Sequence, residues 1–268
     1  MSDLAVHAIR DAFDHGKAFI AFVTAGDPSI AKTAEYVEAL VAGGADLIEL
    51  GIPFSDPIAE GAVIQAADER ALSAHVHIDD VFRLAGELSG RLTVPLVFLT
   101  YLNPVFHMGY ERFFARCHEA GIRGVIIPDL PFEEQDELLD IAAAHGVDVV
   151  TMVAPTSDDR IQRMADRARG FVYVVSSLGV TGVRSRITTD IAAMVSAIRA
   201  HSDVPVAIGF GIGTPEQAAV MAAVSDGVIV GSKIVSIIAE HPHDAASYLR
   251  DYAASMKAAI TASGGRAS

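Results

Sequence analysis

The 268-residue sequence has a single cysteine, Cys117, and only 20 lysines and arginines against 34 aspartates and glutamates. One cysteine excludes an internal disulfide, which agrees with a reducing compartment, so we expect a cytoplasmic protein. The formal net charge of −14 repels phosphate backbones and no basic patch offsets it, so we expect no nucleic-acid partner. No apolar run approaches the ~20 residues that span a bilayer, so we expect no membrane association.

Several functional motifs are also absent. The sequence contains no Gly-x-Gly-x-x-Gly, no Walker loop and no Ser-His-Asp order that fits the predicted strand ends. His75 with His77, and His241 with His243, lie in polar segments without a nearby third ligand, so we expect no metal site. Lys233 begins a predicted helix, which favours phosphate pairing or solvation over a Schiff base.

What the sequence does contain is a series of short apolar segments rich in β-branched residues. Each is too short and too continuously apolar to be half-solvated, which indicates strands buried on both faces of a parallel sheet. The eight segments are AFIAFVT (18–24), ADLIELG (45–51), VPLVFLT (94–100), RGVIIPD (123–129), VDVVTMVA (147–154), FVYVVSS (171–177), VPVAIGFG (204–211) and DGVIVGS (226–232).

Helical patterns separate these strands, and no linker divides the chain. Uninterrupted β/α alternation over ~250 residues is the size of one (β/α)₈ TIM barrel, so we predict a single domain over 1–268. A doubly wound open sheet is the alternative. We also predict an extra N-terminal helix, an extra helix after the second strand in EGAVIQAADERALSAH, and a short helix after the eighth strand in GSKIVSIIAEHP.

Glycines end the last two predicted strands, in GFGIGTPEQ and GSK. Backbone N–H groups of Gly211 and Gly231 could approach an anion there, and a helix beginning near Ser232 would direct its positive dipole end to the same point. Thr181 and Gly182, in LGVTGVRSR, would join this neighbourhood on a lid. The alternative is that the glycines only permit tight turns.

Acidic residues cluster around the second strand. Glu49 ends that strand, where barrel enzymes place catalytic groups, and Glu60 follows in the loop above. Two carboxylates facing one pocket form a common acid/base pair, although Asp56 and Asp129 share this face and spacing alone does not select the pair. Tyr173 either fills a barrel layer or lines the pocket.

The motifs FVTAGDPS, ELGIPFSDPIAEG, VPLVFLTYLNPVF, IPDLP, SSLGVTG, IGFGI and IVGSKIV occur in this order. Together they resemble the tryptophan synthase alpha subunit family over nearly the whole chain. The resemblance implies a (β/α)₈ barrel that cleaves indole-3-glycerol phosphate to indole and glyceraldehyde 3-phosphate. It also implies an α₂β₂ complex with a beta subunit that carries pyridoxal phosphate and receives the indole through a tunnel, with no cofactor in this chain.

Matched residue by residue, the resemblance implies that Glu49 is the general acid/base and that Glu60 is the carboxylate at the indole N–H, with Tyr173 beside them. The residues implied to bind substrate form two groups. Those implied to line the indole pocket, together with Tyr173, are Phe22, Leu99, Tyr101, Ile126 and Phe210. Those implied to surround the substrate phosphate or the lid over it are Thr181, Gly182, Gly211, Gly231 and Ser232. Those implied to face the beta subunit are Asp56, Pro57, Asn103 and Pro131.

One stretch departs from the family pattern DPLADGP, because Glu60 and Ala62 replace an aspartate and a proline. The carboxylate keeps its charge and changes its reach by roughly 1 Å, a displacement that matters for positioned catalysis. Two other functions remain compatible with the residues. One is an allosteric partner subunit with weak catalysis of its own, and the other is a phosphate-binding barrel isomerase.

Overall fold

The computed structural model describes residues 7–156, 158–175, 184–209 and 211–263, and it describes no side chains for 184–190. Within these residues the strands form one parallel sheet in the order β5-β4-β3-β2-β1-β9-β8-β7-β6. The strands are β1 Ala18–Thr24, β2 Leu47–Gly51, β3 Leu96–Leu99, β4 Ile122–Ile126, β5 Asp148–Val149, β6 Thr151–Val153, β7 Val172–Val175, β8 Val206–Gly209 and β9 Gly227–Val230.

The two ends of this sheet belong to one stretch of chain. β5 pairs with β4 and β6 pairs with β7, and Val150 alone separates β5 from β6. The Val150 N–H still donates to the Val125 carbonyl on β4 at 2.9 Å. The predicted fifth strand is therefore split between its two neighbours, and it closes the sheet into the predicted barrel of eight strand positions.

Helices surround the barrel, and they include the predicted extra helices. In chain order the α-helices in the described ranges are α1 Ile30–Ala42, α2 Ala62–Ser73, α3 Ile78–Ser89, α4 Leu102–Met108, α5 Tyr110–Glu119, α6 Asp136–Ala144, α7 Asp158–Asp166, α8 Arg184–Arg199, α9 Pro215–Ala222, α10 Ser232–Glu240 and α11 Ala245–Ser263. α2 is the extra helix after the second strand, and α10 is the short helix after the last. None of these helices is long and apolar enough to cross a bilayer.

Side chains alternate between the barrel interior and the helical layer, as the two-residue period of a strand requires. On β1, Ala18 and Ile20 belong to the interior cluster, whereas Phe19, Ala21 and Val23 pack in the larger core between sheet and helices. Both faces of the strand are therefore apolar, which explains the unbroken hydrophobic segments of the sequence.

The N-terminal segment closes the lower end of the barrel. The predicted N-terminal helix is a short 3₁₀ helix, Ile9–Phe13, in the part of the chain that the structure describes. Ile9 is buried against Gly124 and Gly170, where an added Cβ would lie 2.6 and 2.9 Å from the Ile9 Cδ1 atom. Access to the interior is thus left to the opposite end, where the strands have their carboxyl termini.

Candidate active site

A cavity of about 840 Å³ opens at the carboxyl ends of the strands. This volume suits a small-molecule ligand, since ligand pockets span roughly 300–1,000 Å³. Nine of the residues selected from the sequence line this cavity: Phe22, Glu49, Glu60, Leu99, Pro131, Tyr173, Gly211, Gly231 and Ser232.

Glycines create the space that the aromatic side chains occupy. A Cβ added at Gly51 would lie 2.7 Å from the Phe22 ring, and one at Gly231 would lie 3.3 Å from it. A Cβ at Gly209 would overlap the Tyr173 phenol. The absence of a side chain at three strand ends therefore lets Phe22 and Tyr173 line the cavity.

Glu49 is the most deeply buried acid of the cavity. It lies on β2 between Phe22 of β1 and Val97 of β3, is 1 % exposed, and its Oε1 atom has no hydrogen-bond partner among the described residues. Burial raises the pKa of Glu49 to about 8. The pKa of the Tyr173 phenol is also raised, by burial first and then by the charge of Glu49, so the two groups are neighbours. Glu49 can therefore hold a proton at neutral pH, and its Oε1 atom has no fixed partner among the described residues.

Glu60 reaches the cavity from the loop after β2, and Tyr101 anchors that loop. The Tyr101 phenol oxygen accepts a hydrogen bond from the Ala59 N–H at 3.0 Å, and its ring stacks on Phe54 with centroids 5.1 Å apart. Burial raises the pKa of Tyr101 to about 12. Tyr101, expected to line the pocket, is absent from the cavity wall and holds the backbone next to Glu60.

Asp68 is a functional candidate that the sequence reasoning missed. It lies on α2, is 4 % exposed, and its carboxyl is within hydrogen-bonding contact of the Glu60 carboxyl. The spacing could have revealed it, because Ile64, Ala67, Asp68 and Ala71 follow the i, i+3, i+4, i+7 pattern of a buried helix face. An acid in such a stripe indicates a specific polar neighbour.

The other acids of this face have different surroundings. Asp129 accepts a hydrogen bond from the Leu102 N–H at 2.8 Å and so ties the start of α4 to the cavity rim. Asp56 and Asn103 are exposed, with Pro57 beside them half-buried. The spacing of the acids in the sequence did not show which two form the acid/base pair. In the structure, Glu49 is buried and Glu60 is half-buried, whereas Asp56 is exposed.

Ile126 lies elsewhere than expected. It was predicted to line the indole pocket, but it belongs to the buried cluster inside the barrel, and its neighbour Ile127 contributes to the cavity wall instead. β4 ends at Ile126, so this side chain keeps the inward direction of the strand, where it pairs in register with Leu99.

The side of the cavity formed by the residues after β8 and β9 has the features expected of an anion site. Gly211, Gly231 and Ser232 line it, and Ser232 is the first residue of α10, whose free N–H groups face the end of β9. Lys233 adds a cation to the same wall. Thr181 and Gly182, which the sequence assigned to this neighbourhood, lie outside the described residues, and so does Phe210, which it assigned to the indole pocket.

No group of three or more histidine, cysteine, aspartate or glutamate side chains within the described ranges is arranged to hold a metal ion. The single cysteine, Cys117, is buried, and burial raises the pKa of its thiol. The deep part of the described cavity therefore offers carboxyls and a phenol for proton transfer, whereas Ser232 and Lys233 lie with the glycines of the anion side.

Comparison with known proteins agrees with this geometry. The family model described as tryptophan synthase alpha chain matches residues 10–262. The chain belongs to this family. The resemblance predicted from the sequence motifs is thereby confirmed, and with it the barrel fold.

Individual members of the tryptophan synthase alpha chain family are similar over nearly their whole length. The alpha chain of Lactiplantibacillus plantarum is 51% identical over 249 residues, which cover 92% of this chain and 94% of that one. The crystal structure of the alpha subunit from Legionella pneumophila (strain Paris) has a TM-score of 0.85 at 36% identity, covering 94% and 97%. A chain in the crystal structure of the tryptophan synthase complex from Pyrococcus furiosus has a TM-score of 0.81 at 32% identity, covering 90% of this chain and 98% of that one.

Proposed function

We propose that this chain is a carbon–carbon lyase that cleaves indole-3-glycerol phosphate to indole and glyceraldehyde 3-phosphate in tryptophan biosynthesis. One observation carries the proposal: Glu49 is buried in a largely apolar cavity with a pKa raised to about 8, and in the described part of the chain its Oε1 atom has no hydrogen-bond partner. Family membership supports the same reaction.

The reaction needs a proton at carbon 3 of the indole ring, because indole is a poor leaving group as a carbanion. Protonation at this carbon produces an iminium, which accepts the electrons of the breaking carbon–carbon bond. The hydroxyl on the adjacent side-chain carbon then loses its proton and becomes the aldehyde. Glu49 donates the first proton and accepts the second, so it ends the cycle as it began. A pKa near the working pH suits a group that must do both.

Positive charge develops on the ring nitrogen in this step, and an anion placed there lowers the barrier. We assign this role to Glu60, whose carboxyl lies on the cavity wall close to the buried Asp68. The substrate phosphate is assigned to Gly211, Gly231 and Ser232 at the start of α10. The assigned steps use only proton transfer by side chains, so we expect no cofactor in this chain.

Alpha chains of this family act with a beta subunit, and we propose an α₂β₂ tetramer in the cytoplasm with pyridoxal phosphate on the beta subunit. Two large hydrophobic side chains stand out at the expected partner face. Ile58, next to Pro57, is 79% exposed, and Phe106, on the same helix as Asn103, is 68% exposed. Exposed apolar residues beside a functional opening are typical of an interaction surface.

The proposed reaction is tested by incubating the full chain with indole-3-glycerol phosphate, alone and with a tryptophan synthase beta subunit. We expect indole and glyceraldehyde 3-phosphate in equal amounts, measured by chromatography and a coupled dehydrogenase assay. No product under either condition would exclude the lyase and favour a subunit that only binds. Isomerised sugar phosphate without indole would favour a different barrel enzyme.

The partner face is tested with Phe106→Asp. Placing a charge at the centre of an apolar contact should weaken binding to a beta subunit by about tenfold to a hundredfold, the range of an interface hot spot. Analytical ultracentrifugation measures both the affinity and the mass of the complex, which should match two alpha and two beta chains. Val220→Asp is the matched control, because Val220 is a 47% exposed apolar residue on α9. Equal affinities for the two variants would place the partner elsewhere.

A further inference from the structure

Asp68 is a buried acid with no cationic partner among the described residues. It occupies the inner face of α2, and the nearest basic residue of that helix, Arg70, is held by Asp27 through hydrogen bonds of 2.8 Å from Nε and from Nη2. No ion pair joins Asp68 to a basic side chain anywhere in the described ranges. An ionised carboxylate at 4 % exposure with no cationic partner is strongly disfavoured.

The neighbours of Asp68 indicate how it is stabilised. The Phe54 N–H and the Thr24 hydroxyl lie beside its carboxyl, and the Glu60 carboxyl is within hydrogen-bonding contact. The Oε2 atom of Glu60 is buried and has no donor among the described residues. Two ionised carboxylates have only acceptors, so they cannot hydrogen-bond to each other. One proton held between them supplies the missing donor.

We propose that Asp68 is a positioning residue that holds this proton and donates it in a hydrogen bond to Glu60, which remains the anionic member of the pair. The inference rests on the proposed lyase function, since it specifies how the anion for the ring nitrogen is fixed in place. The longer glutamate at position 60 has one more rotatable bond than the aspartate of the family pattern. A fixed donor offsets that added freedom.

Burial and the charge of Glu60 both raise the pKa of Asp68, and burial also raises the pKa of Glu60. Asp68 is the more buried of the two side chains, so it is the member that keeps the proton. As pH rises past this ionisation, a second negative charge appears beside Glu60 and repels it.

Among the described residues of the elements around Asp68, no basic side chain is paired with its carboxyl in a way that would favour loss of this proton. β1 contributes the neutral Thr24, and Tyr101 places its phenol near both carboxyls. α10 packs against α2 and carries Lys233 and Glu240. In the described part of the chain, neither forms an ion pair with Asp68 or Glu60. Glu49 and Asp129 line the same cavity and add only negative charge when ionised.

Two substitutions separate proton holding from packing. In Asp68→Asn, the amide can still donate to Glu60 but has no proton to lose. In Asp68→Leu, the branching at Cγ is kept and the donor is lost. Glu69→Gln is the matched control, because it makes the same carboxyl-to-amide change at the adjacent, exposed position of α2. The kcat/KM for indole release is measured for all four proteins from about pH 6 to about pH 9.5, a range that brackets the raised ionisations.

We expect Asp68→Asn to stay within about threefold of wild type at pH 7 and to lose the part of the alkaline decline that Asp68 causes. Asp68→Leu should fall by about tenfold to a hundredfold, the worth of a hydrogen bond to a charged group, and its acidic limb should move to higher pH. Carboxyl ¹³C NMR should show the raised titration of Glu49 in all four proteins, and a further raised titration at Asp68 that both Asp68 variants lack and Glu69→Gln retains.

Equal losses in Asp68→Asn and Asp68→Leu, with wild-type pH profiles, would reduce Asp68 to a packing residue and overturn the inference. A wild-type rate and profile for Asp68→Leu would overturn it as well. The NMR titration needs no substrate, so it decides the shared proton even if the wild-type chain releases no indole. That last result would count against the lyase function and not against the carboxyl pair.

Discussion

Glu49→Gln should release indole about 10² to 10⁴ times more slowly than the wild-type chain, because a positioned proton donor typically contributes that factor. Glutamine keeps the size and neutral charge of a protonated glutamate, so the cavity should still bind substrate. The loss should therefore fall on kcat, with KM changed little. Steady-state indole release in the presence of a beta subunit measures both constants.

The control for this loss is Glu69→Gln, an identical change at an exposed position of α2. It should retain wild-type kcat. A Glu49→Gln protein with a kcat within tenfold of wild type would show that another group transfers the proton, and Tyr173 would be the next candidate because it lines the same cavity.

The same variant should be more stable than wild type, and the difference should grow with pH. The pKa of Glu49 is raised from 4.5 to about 8 in the folded chain, so folding favours the protonated acid. The stability that the wild-type chain gains from protonated Glu49 is complete below the pKa of 4.5 in the unfolded chain. It is lost as pH rises through the folded-state pKa of about 8. Between pH 5 and pH 8, wild type should lose about 3 kcal/mol of unfolding free energy relative to Glu49→Gln.

Urea unfolding at several pH values measures this difference. Glu60 and Asp68 titrate in both proteins, so their contribution largely cancels in the comparison. Glu69→Gln should run parallel to wild type. Parallel curves for Glu49→Gln and wild type would mean that Glu49 ionises normally, which would remove the main physical argument for its role as acid.

The barrel could be predicted from the sequence because strands buried on both faces leave unbroken apolar segments. β1 matches its predicted range of 18–24 at both ends. β3 is shorter than its predicted segment, 94–100, because it runs from Leu96 to Leu99. Hydrophobicity continues past the last paired residue, whereas a strand ends where its hydrogen-bond ladder ends. The break at Val150 also left no trace in the apolar segment 147–154.

The candidate site was predictable where strand order alone determines position. Glu49, Gly231 and Ser232 come from strand ends, and those ends meet at one rim in any parallel barrel. Tyr101 and Asp68 were harder to place, since their roles depend on contacts that hydrophobic periodicity does not encode. The hydrogen bond from the Ala59 N–H to Tyr101 joins residues 42 positions apart, and Asp68 on α2 contacts the side chain of Glu60 in the preceding loop.

The glycines at the strand ends also determine how this cavity could change during evolution. Any side chain at Gly51 or Gly209 would displace Phe22 or Tyr173, and one at Gly231 would crowd Phe22, so the deep wall has little freedom to accept a ligand of another shape. The loop around 53–61 is different, because Ser55, Asp56 and Ile58 are exposed and constrained by few neighbours. New specificity would therefore arise at the rim, and Glu60, already different from the family pattern, lies there.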